Sequence, residues 1–199
     1  TEVVIKGLKD LTLRKDRSPR GLALLGITTT CVDDDSTVVD YERCAMIKAR
    51  NPENLPGHCD NLGAVETEIV LDNWKSLVPE SWDLSSLGLK NQEDWAIGEK
   101  KIDDLCDTVS NAMELVRLTQ NQAPVHRDAG TSPTGERLVY GGHTIGLAQA
   151  SLNRLLPRNA TVLGWQSCDH LGPVHEGDVL SFQHTLLDQK TLTNGKISA

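Results

Sequence analysis

A histidine, an asparagine and a pair of glycines stand at spacings that could support acid–base chemistry. His126 follows Pro124 at the end of a polar loop that begins at Asn121, and Gly141 and Gly142 open an apolar segment further along. An imidazole titrates near neutral pH and can therefore accept a proton from water. Glycines at a helix N-terminus expose backbone N–H groups, which suit an oxygen on which negative charge develops. The pattern indicates a general base close to an oxyanion site.

Other polar residues near these positions could assist the histidine. Asn121 can orient a water molecule or His126 by hydrogen bonds, but an amide cannot take up a proton. We therefore predict that Asp128 or Tyr140, both close by in sequence, takes part in the proton transfers. His143 directly follows the glycine pair and is a candidate for support, although it is better explained as a structural residue of the helix.

Two helices and two strands are predicted to position these groups. Ser110 can cap a helix over residues 111–119, where apolar residues recur at three- and four-residue spacing. A second helix over residues 143–156 is apolar nearly all round, which predicts that it is buried. Strand-like runs follow at residues 161–171 and 178–187. Strands around one buried helix indicate an α+β fold.

The N-terminal part of the chain is typical of a β-sheet. Strand-like runs rich in β-branched residues cover 2–13, 21–32 and 37–49, and turn formers at 33–36 join the last two. The acidic triplet Asp33–Asp35 could be a cation site, but it lacks EF-hand spacing and is better explained as a solvated turn. Proline and glycine then become frequent, and regular patterning resumes near residue 94.

Composition excludes several classes of protein. The 199 residues include 20 Lys+Arg against 28 Asp+Glu, with a net charge of −8 and only four Trp, two Tyr and one Phe. An acidic chain with few aromatic residues is not expected to bind nucleic acid. Its apolar runs are all shorter than the roughly 18–20 residues that a membrane span needs.

The cysteines predict reduced thiols and a cytoplasmic protein. Their number is odd and their spacing lacks any CxxC pair; they are Cys31, Cys44, Cys59, Cys106 and Cys168. Cys168, His170 and His175 could be interpreted as metal ligands. The surrounding sequence is better explained as an ordinary turn between strands, so we predict no metal site.

Three motifs together resemble the MaoC-like hydratase/dehydratase family. The segment Pro173–Leu180 (PVHEGDVL) matches the family's P-V-x-x-G-D-x-L element, and Tyr140–His143 (YGGH) corresponds to the turn that opens its central helix. The loop Asn121–His126 resembles the family's D-x-N-P-x-H loop but has Asn121 where the family has its aspartate. The wording RLVYGGH is closer to the mesaconyl-CoA hydratase branch than to short (R)-specific enoyl-CoA hydratases.

The resemblance implies a hotdog fold, in which an antiparallel sheet wraps a long central helix. It assigns residues 94–199 to one MaoC-like repeat, 51–93 to a linker and 1–50 to the closing strands of a first repeat, as in double-hotdog proteins. The chain opens on Thr1 rather than Met and stops before its second repeat would close. We therefore expect it to be a fragment or a processed product.

The resemblance also implies an activity, namely hydration or dehydration of an α,β-unsaturated acyl-CoA thioester. His126 and Asn121 would be catalytic, and Gly141, Gly142 and Tyr140 would bind the substrate and its oxyanion. Coenzyme A is part of the substrate, so no separate cofactor is expected. Pairing of repeats within the chain, or of subunits in a homodimer, is implied as well. A non-catalytic acyl-CoA or acyl-carrier binding protein and a hotdog thioesterase remain the alternatives.

Overall fold

The chain folds as two units, Thr1–Val65 and Glu66–Ala199. The computed structural model describes residues 1–11, 19–64, 68–83, 95–159, 161–192 and 195–199. The predicted junction between linker and repeat, at residues 93 and 94, lies outside these ranges. Within them no helix is both long enough and apolar enough to cross a membrane.

The first unit is a three-stranded antiparallel sheet. Its strands are β1 (Glu2–Leu11), β2 (Arg20–Thr30) and β3 (Thr37–Lys48), with β2 in the centre. This confirms the strands predicted from the β-branched runs. The turn between β2 and β3 is also confirmed, because Asp34 Oδ1 accepts the N–H of Ser36 at 3.0 Å. Asp35 adopts a positive φ of 56°, which aspartate tolerates in turns.

The second unit combines two helices with short antiparallel ladders. The helices are α1 (Ala112–Leu118) and α2 (Gly141–Leu155). Its short strands are β4 (Lys100–Ile102), β5 (Asp107–Thr108), β6 (Val179–Leu180), β7 (Gln183–Thr185), β8 (Gln189–Leu192) and β9 (Gly195–Ser198). They form three antiparallel pairs, β4–β7, β5–β6 and β8–β9. The mixture of helix and antiparallel sheet confirms the predicted α+β class.

Some predicted elements differ in the structure. Residues 161–171 form no strand, although their β-branched pattern predicted one. A strand needs a partner for its backbone groups, and propensity alone does not supply it. The run 178–187 is divided into β6 and β7. α2 begins at Gly141, two residues before the predicted start.

The central helix is also less buried than its composition predicted. In α2 only Ser151 is fully buried, while the apolar residues on its other faces are half-buried or exposed. The pattern of a helix that is apolar nearly all round therefore overestimated its burial.

A small apolar core fixes the N-terminal half of α2. Its buried residues are Val109, Ala112 and Val139, and three half-buried side chains pack against them: Leu147, Val174 and Leu180. These residues come from the approaches to both helices, from α2 itself and from the segment around β6. The core therefore connects both helices with the segments that contain Val139, Val174 and Leu180.

The C-terminal half of α2 is fixed by a polar network. Ser151 Oγ lies 2.9 Å from His184 Nε2 and also hydrogen-bonds Asp103. Arg154 Nε donates to Asp103 Oδ2 at 2.7 Å, and its Nη2 donates to Asp107 Oδ2 at 2.8 Å. The hydrogen bond from Arg154 is the main cause that lowers the pKa of Asp103 to about 2. Since an ionised carboxylate only accepts, Ser151 donates to Asp103 and accepts from His184.

Mild acid is expected to destabilise the fold through His184. Burial of its ring is the main cause that lowers its pKa below 6.5, with the charge of Asp103 opposing and that of Arg154 adding to the shift. The unfolded chain therefore binds more protons just below that pH, so stability falls as pH drops through this window. We expect the thermal midpoint to decrease from about pH 6.5 to about pH 5.5, with a shallower decrease in His184→Gln.

The control for this measurement is an exposed histidine of the first unit. His58→Gln removes an imidazole that is not part of the network. It should keep the full pH dependence of the wild type. If His184→Gln and the wild type lose stability equally between these pH values, burial of His184 is not the cause.

Candidate active site

His126 is held in an orientation that leaves one ring nitrogen available. Pro124 starts a short 3₁₀-helix, Pro124–His126, and fixes the backbone before the histidine. His126 Nδ1 lies 2.8 Å from the carbonyl oxygen of Leu138. A carbonyl can only accept, so the proton of the neutral ring is on Nδ1 and Nε2 carries a lone pair. This is the tautomer that a general base acting through Nε2 requires.

The strand-like segment that holds His126 is itself fixed on two sides. The Leu138 N–H donates to the Val125 carbonyl at 3.0 Å, and the Val139 N–H donates to the Val174 carbonyl at 2.8 Å. Leu138 also forms an isolated β-bridge with His175. The acceptor of the His126 proton is therefore part of a backbone ladder rather than of a free loop.

The turn that follows residue 173 completes this ladder. Gly177 has a φ of +98°, which glycine adopts without strain. Asp178 Oδ2 accepts the N–H of His175 at 2.7 Å, so this carboxylate holds the turn. The P-V-x-x-G-D-x-L element thus has a structural role, since it fixes the segment on which His126 depends.

Tyr140 joins His126 to the N-terminus of α2. The rings of His126 and Tyr140 meet edge to face, with centroids 5.8 Å apart. The Tyr140 ring also covers Gly142, because a Cβ on that glycine would lie 2.6 Å from Tyr140 Cε1. A side chain at position 142 would therefore displace the tyrosine ring, which explains the need for glycine.

A second imidazole lies against the other glycine. A Cβ on Gly141 would lie 2.5 Å from both Cε1 and Nε2 of His170. The sequence predicted that His170 lies on a strand, and the only role it suggested for this residue was that of a metal ligand. In the described part of the chain, no three His, Cys, Asp or Glu side chains are grouped so that they could hold a metal ion. Nothing in the spacing of residues 161–171 signalled this contact.

Asn121 and Asp128 are both engaged in local backbone structure. Asn121 Oδ1 accepts the N–H of Ala123 at 2.9 Å, and its carbonyl accepts Arg127 Nε at 2.7 Å. Asp128 caps a 3₁₀-helix by accepting the N–H of Gly130 at 2.9 Å. Both side chains therefore shape the loop around His126, and each has one oxygen committed to a turn.

An open cleft of about 480 Å³ lies between α1 and the first turns of α2. Its walls are formed by Ser110, Asn111, Glu114, Leu115, Leu118, Gly142, His143, Gly146 and Leu147. His143 Nδ1 is buried and, within the described residues, has no hydrogen-bond partner. The cleft reaches Gly142, and through the Tyr140 ring Gly142 is connected to His126.

A solved structure that is similar to this chain is a double-hotdog protein. A conserved hypothetical protein from Mycobacterium tuberculosis, described as having a double hotdog fold, superposes with a TM-score of 0.80 and 37% identity. The match covers 98% of this chain and 59% of that one. This confirms the predicted hotdog fold and its double-hotdog arrangement.

Curated relatives carry names that agree with the motifs. Mesaconyl-CoA hydratase from Cereibacter sphaeroides is 30% identical over 169 residues, covering 81% of this chain and 49% of the relative. Beta-methylmalyl-CoA dehydratase from Chloroflexus aurantiacus is 28% identical, covering 73% of this chain and 44% of the relative. These relatives and the double-hotdog neighbour support a MaoC-like hotdog hydratase family for this chain. No family model matches the sequence.

The MaoC-like chain is shorter than its relatives. It spans about half the length of the two curated proteins that it matches, at 49% and 44%. The predicted assignment of residues 1–50 to a first repeat and 94–199 to a second one stays a prediction. The site roles inferred from the motifs likewise stay predictions at this stage.

Proposed function

We propose that this chain hydrates or dehydrates α,β-unsaturated CoA thioesters of the enoyl-CoA or mesaconyl-CoA type. The names of the two curated relatives support the reaction class. The observation that carries the proposal is the bond from His126 Nδ1 to the Leu138 carbonyl. It leaves Nε2 as a proton acceptor close to a helix N-terminus, which is the arrangement that addition of water to a thioester requires.

In the hydration direction His126 activates water. Its Nε2 takes a proton from the water molecule while the water oxygen bonds to Cβ of the substrate. The π electrons of the double bond move toward the thioester, so negative charge develops on the carbonyl oxygen. Protonation of Cα then completes the addition. In the dehydration direction the same groups act in reverse.

The N-terminus of α2 is suited to the developing oxyanion. The first N–H groups of a helix have no intrahelical acceptor, and the helix dipole places partial positive charge there. Gly141 and Gly142 contribute two of these groups, while the N–H of His143 already donates to the Tyr140 carbonyl at 2.8 Å. Because the thioester carbonyl accepts the electrons, we propose that the reaction needs no bound cofactor.

Incubation with crotonyl-CoA and with mesaconyl-CoA tests the proposal. Hydration removes the absorbance of the conjugated enoyl thioester without releasing free thiol. A thioesterase would release thiol, and a binding protein would do neither. Unchanged absorbance with both substrates at high enzyme concentration contradicts the hydratase.

A non-catalytic acyl-CoA or acyl-carrier binding protein is the second candidate. It is favoured by Asn121, which stands where the family has an acid and cannot transfer a proton. A hotdog thioesterase is less well supported, because α2 contains no Asp or Glu to activate water.

Asn121→Ala is expected to have a small effect on the rate. Its side chain cannot transfer a proton to the substrate. The substitution removes the hydrogen bond that Asn121 Oδ1 accepts from the N–H of Ala123, worth about 1 kcal/mol. We expect a decrease in turnover of about fivefold, measured as hydration of one substrate at saturation. In Asn121→Asp a carboxylate accepts the same N–H, so this variant keeps the shape of the loop while adding an ionisable group. A loss of more than about 10²-fold in Asn121→Ala would show a direct catalytic role.

We propose that repeats pair within the protein or that two subunits form a homodimer. Hotdog sheets present long strand edges, and pairing satisfies their backbone groups. The five cysteines are free thiols, which supports a cytoplasmic setting for the reaction.

A further inference from the structure

We infer that His170 is a second catalytic residue, which exchanges the proton at Cα of the thioester. The inference rests on the proposed function and concerns the step that His126 does not perform. The geometry that carries it is the contact between the His170 ring and Gly141 at the first residue of α2.

Hydration needs two proton transfers, and the acid that the family has in its catalytic loop is replaced by Asn121. Hydration moves one proton from water to a base and another proton to Cα. An imidazole that has just accepted the proton from water acts in the first transfer, and the second transfer needs its own donor. The amide of Asn121 cannot supply this proton. Asp128 accepts the N–H of Gly130 in a helix cap, so one of its oxygens is already engaged. The Tyr140 ring is packed against His126 and Gly142, and we place the second proton donor on another element.

His170 is in the right place to supply it. Its Nε2 lies so close to Gly141 that a Cβ there would be 2.5 Å away. The N–H of Gly141 is one of the groups proposed to hold the thioester oxygen, and Cα of the substrate is two bonds from that oxygen. An imidazole packed against Gly141 is therefore near a thioester whose oxygen this residue holds.

The solvent exposure of His170 suits a residue that must be reprotonated after each turnover. Its side chain is exposed to solvent, so a proton delivered to Cα can be replaced from water. The balance closes as follows: water gives its oxygen and one hydrogen to Cβ, and its other proton goes to His126 Nε2. The enolate electron pair takes the Nε2 proton of the protonated His170 ring to form the Cα–H bond, which leaves a neutral imidazole. His126 then releases its proton to solvent, and His170 takes one up.

Glycine at position 141 is the second feature that this role explains. A side chain there would push the His170 ring away from the helix N-terminus. Gly141→Ala keeps the backbone N–H for the oxyanion but displaces the imidazole. The two substitutions, Gly141→Ala and His170→Gln, should therefore remove the same contribution, and the double variant should be no slower than His170→Gln alone.

Steady-state kinetics over a range of pH test the assignment. With a substrate that the wild type hydrates, we expect His170→Gln to lower kcat by about 10²-fold, with KM nearly unchanged. The basic limb of the pH profile, which reports a group that must be protonated, should disappear. His58→Gln, an exposed imidazole of the first unit, is the matched control and should retain wild-type kinetics.

The outcomes separate this inference from the proposed function. If the wild type hydrates its substrate and His170→Gln does so at the same rate, the role of His170 is refuted and the hydratase stands. A rise in KM alone also refutes it, because it shows only a binding contact. If the wild type does not hydrate either CoA ester, the proposed function itself fails. Circular dichroism of each variant verifies that the fold is retained, and Gly141→Ala gives an independent second measurement.

Discussion

Replacing His126 by alanine should lower the hydration rate by about 10²–10⁴-fold, the range that positioned general bases contribute. The structure gives the reason, since the Leu138 carbonyl holds the proton on Nδ1 and directs the lone pair of Nε2 outward. Binding of the CoA ester should persist, because the substitution leaves the N-terminus of α2 unchanged. The measurement is turnover of one enoyl-CoA at saturation, together with the dissociation constant of a saturated acyl-CoA.

Two variants make the His126 experiment specific. His126→Gln keeps a side chain of similar size that can donate to Leu138 but cannot accept a proton from water at neutral pH. It should be as inactive as His126→Ala. If either variant keeps wild-type turnover while binding the ligand normally, His126 is not the base and the binding-protein hypothesis takes its place.

Ser151→Ala should lower the free energy of unfolding by about 1–3 kcal/mol, the cost of a buried polar group that loses its partner. Ser151 is fully buried in the C-terminal half of α2, and its Oγ lies 2.9 Å from His184 Nε2. The substitution also removes a hydrogen bond from Asp103. Chemical denaturation at neutral pH measures the effect as a shift in midpoint with an unchanged slope.

An exposed serine provides the control for this experiment. Ser181→Ala changes the same group at a position open to solvent and should shift the stability by less than about 0.5 kcal/mol. A midpoint in Ser151→Ala equal to that of Ser181→Ala would contradict the role assigned to the network. Activity is not expected to follow this loss, because the network lies at the opposite end of α2 from Gly141.

The sequence predicted well those parts that depend on local patterns. The three N-terminal strands and the Asp33–Asp35 turn follow from β-branched runs and turn formers. Helix α2 follows from apolar spacing, although its first turn does not, because two glycines carry no helical signal of their own. Residues 161–171 show the converse, since strand propensity without a pairing partner produces no strand.

The parts that the sequence did not predict depend on contacts between distant segments. His170 reaches Gly141 from a stretch without regular structure, and no periodicity reports such a contact. The carbonyl of Leu138 holds His126, but a backbone acceptor has no signature in residue types. The sequence carried one signal of the network around Ser151. This signal is Arg154, a single arginine three residues further along an otherwise uncharged helix.

The turn made by Asn121 has a consequence for how this loop can evolve. Its side-chain oxygen accepts the N–H of Ala123, and an aspartate oxygen at the same position accepts that bond equally well. Asn and Asp codons differ by one base, so a single nucleotide change exchanges an amide for an acid while the loop keeps its shape. The chemical identity of the side chain at position 121 is thus separated from the folding of the loop, since either residue makes the same turn.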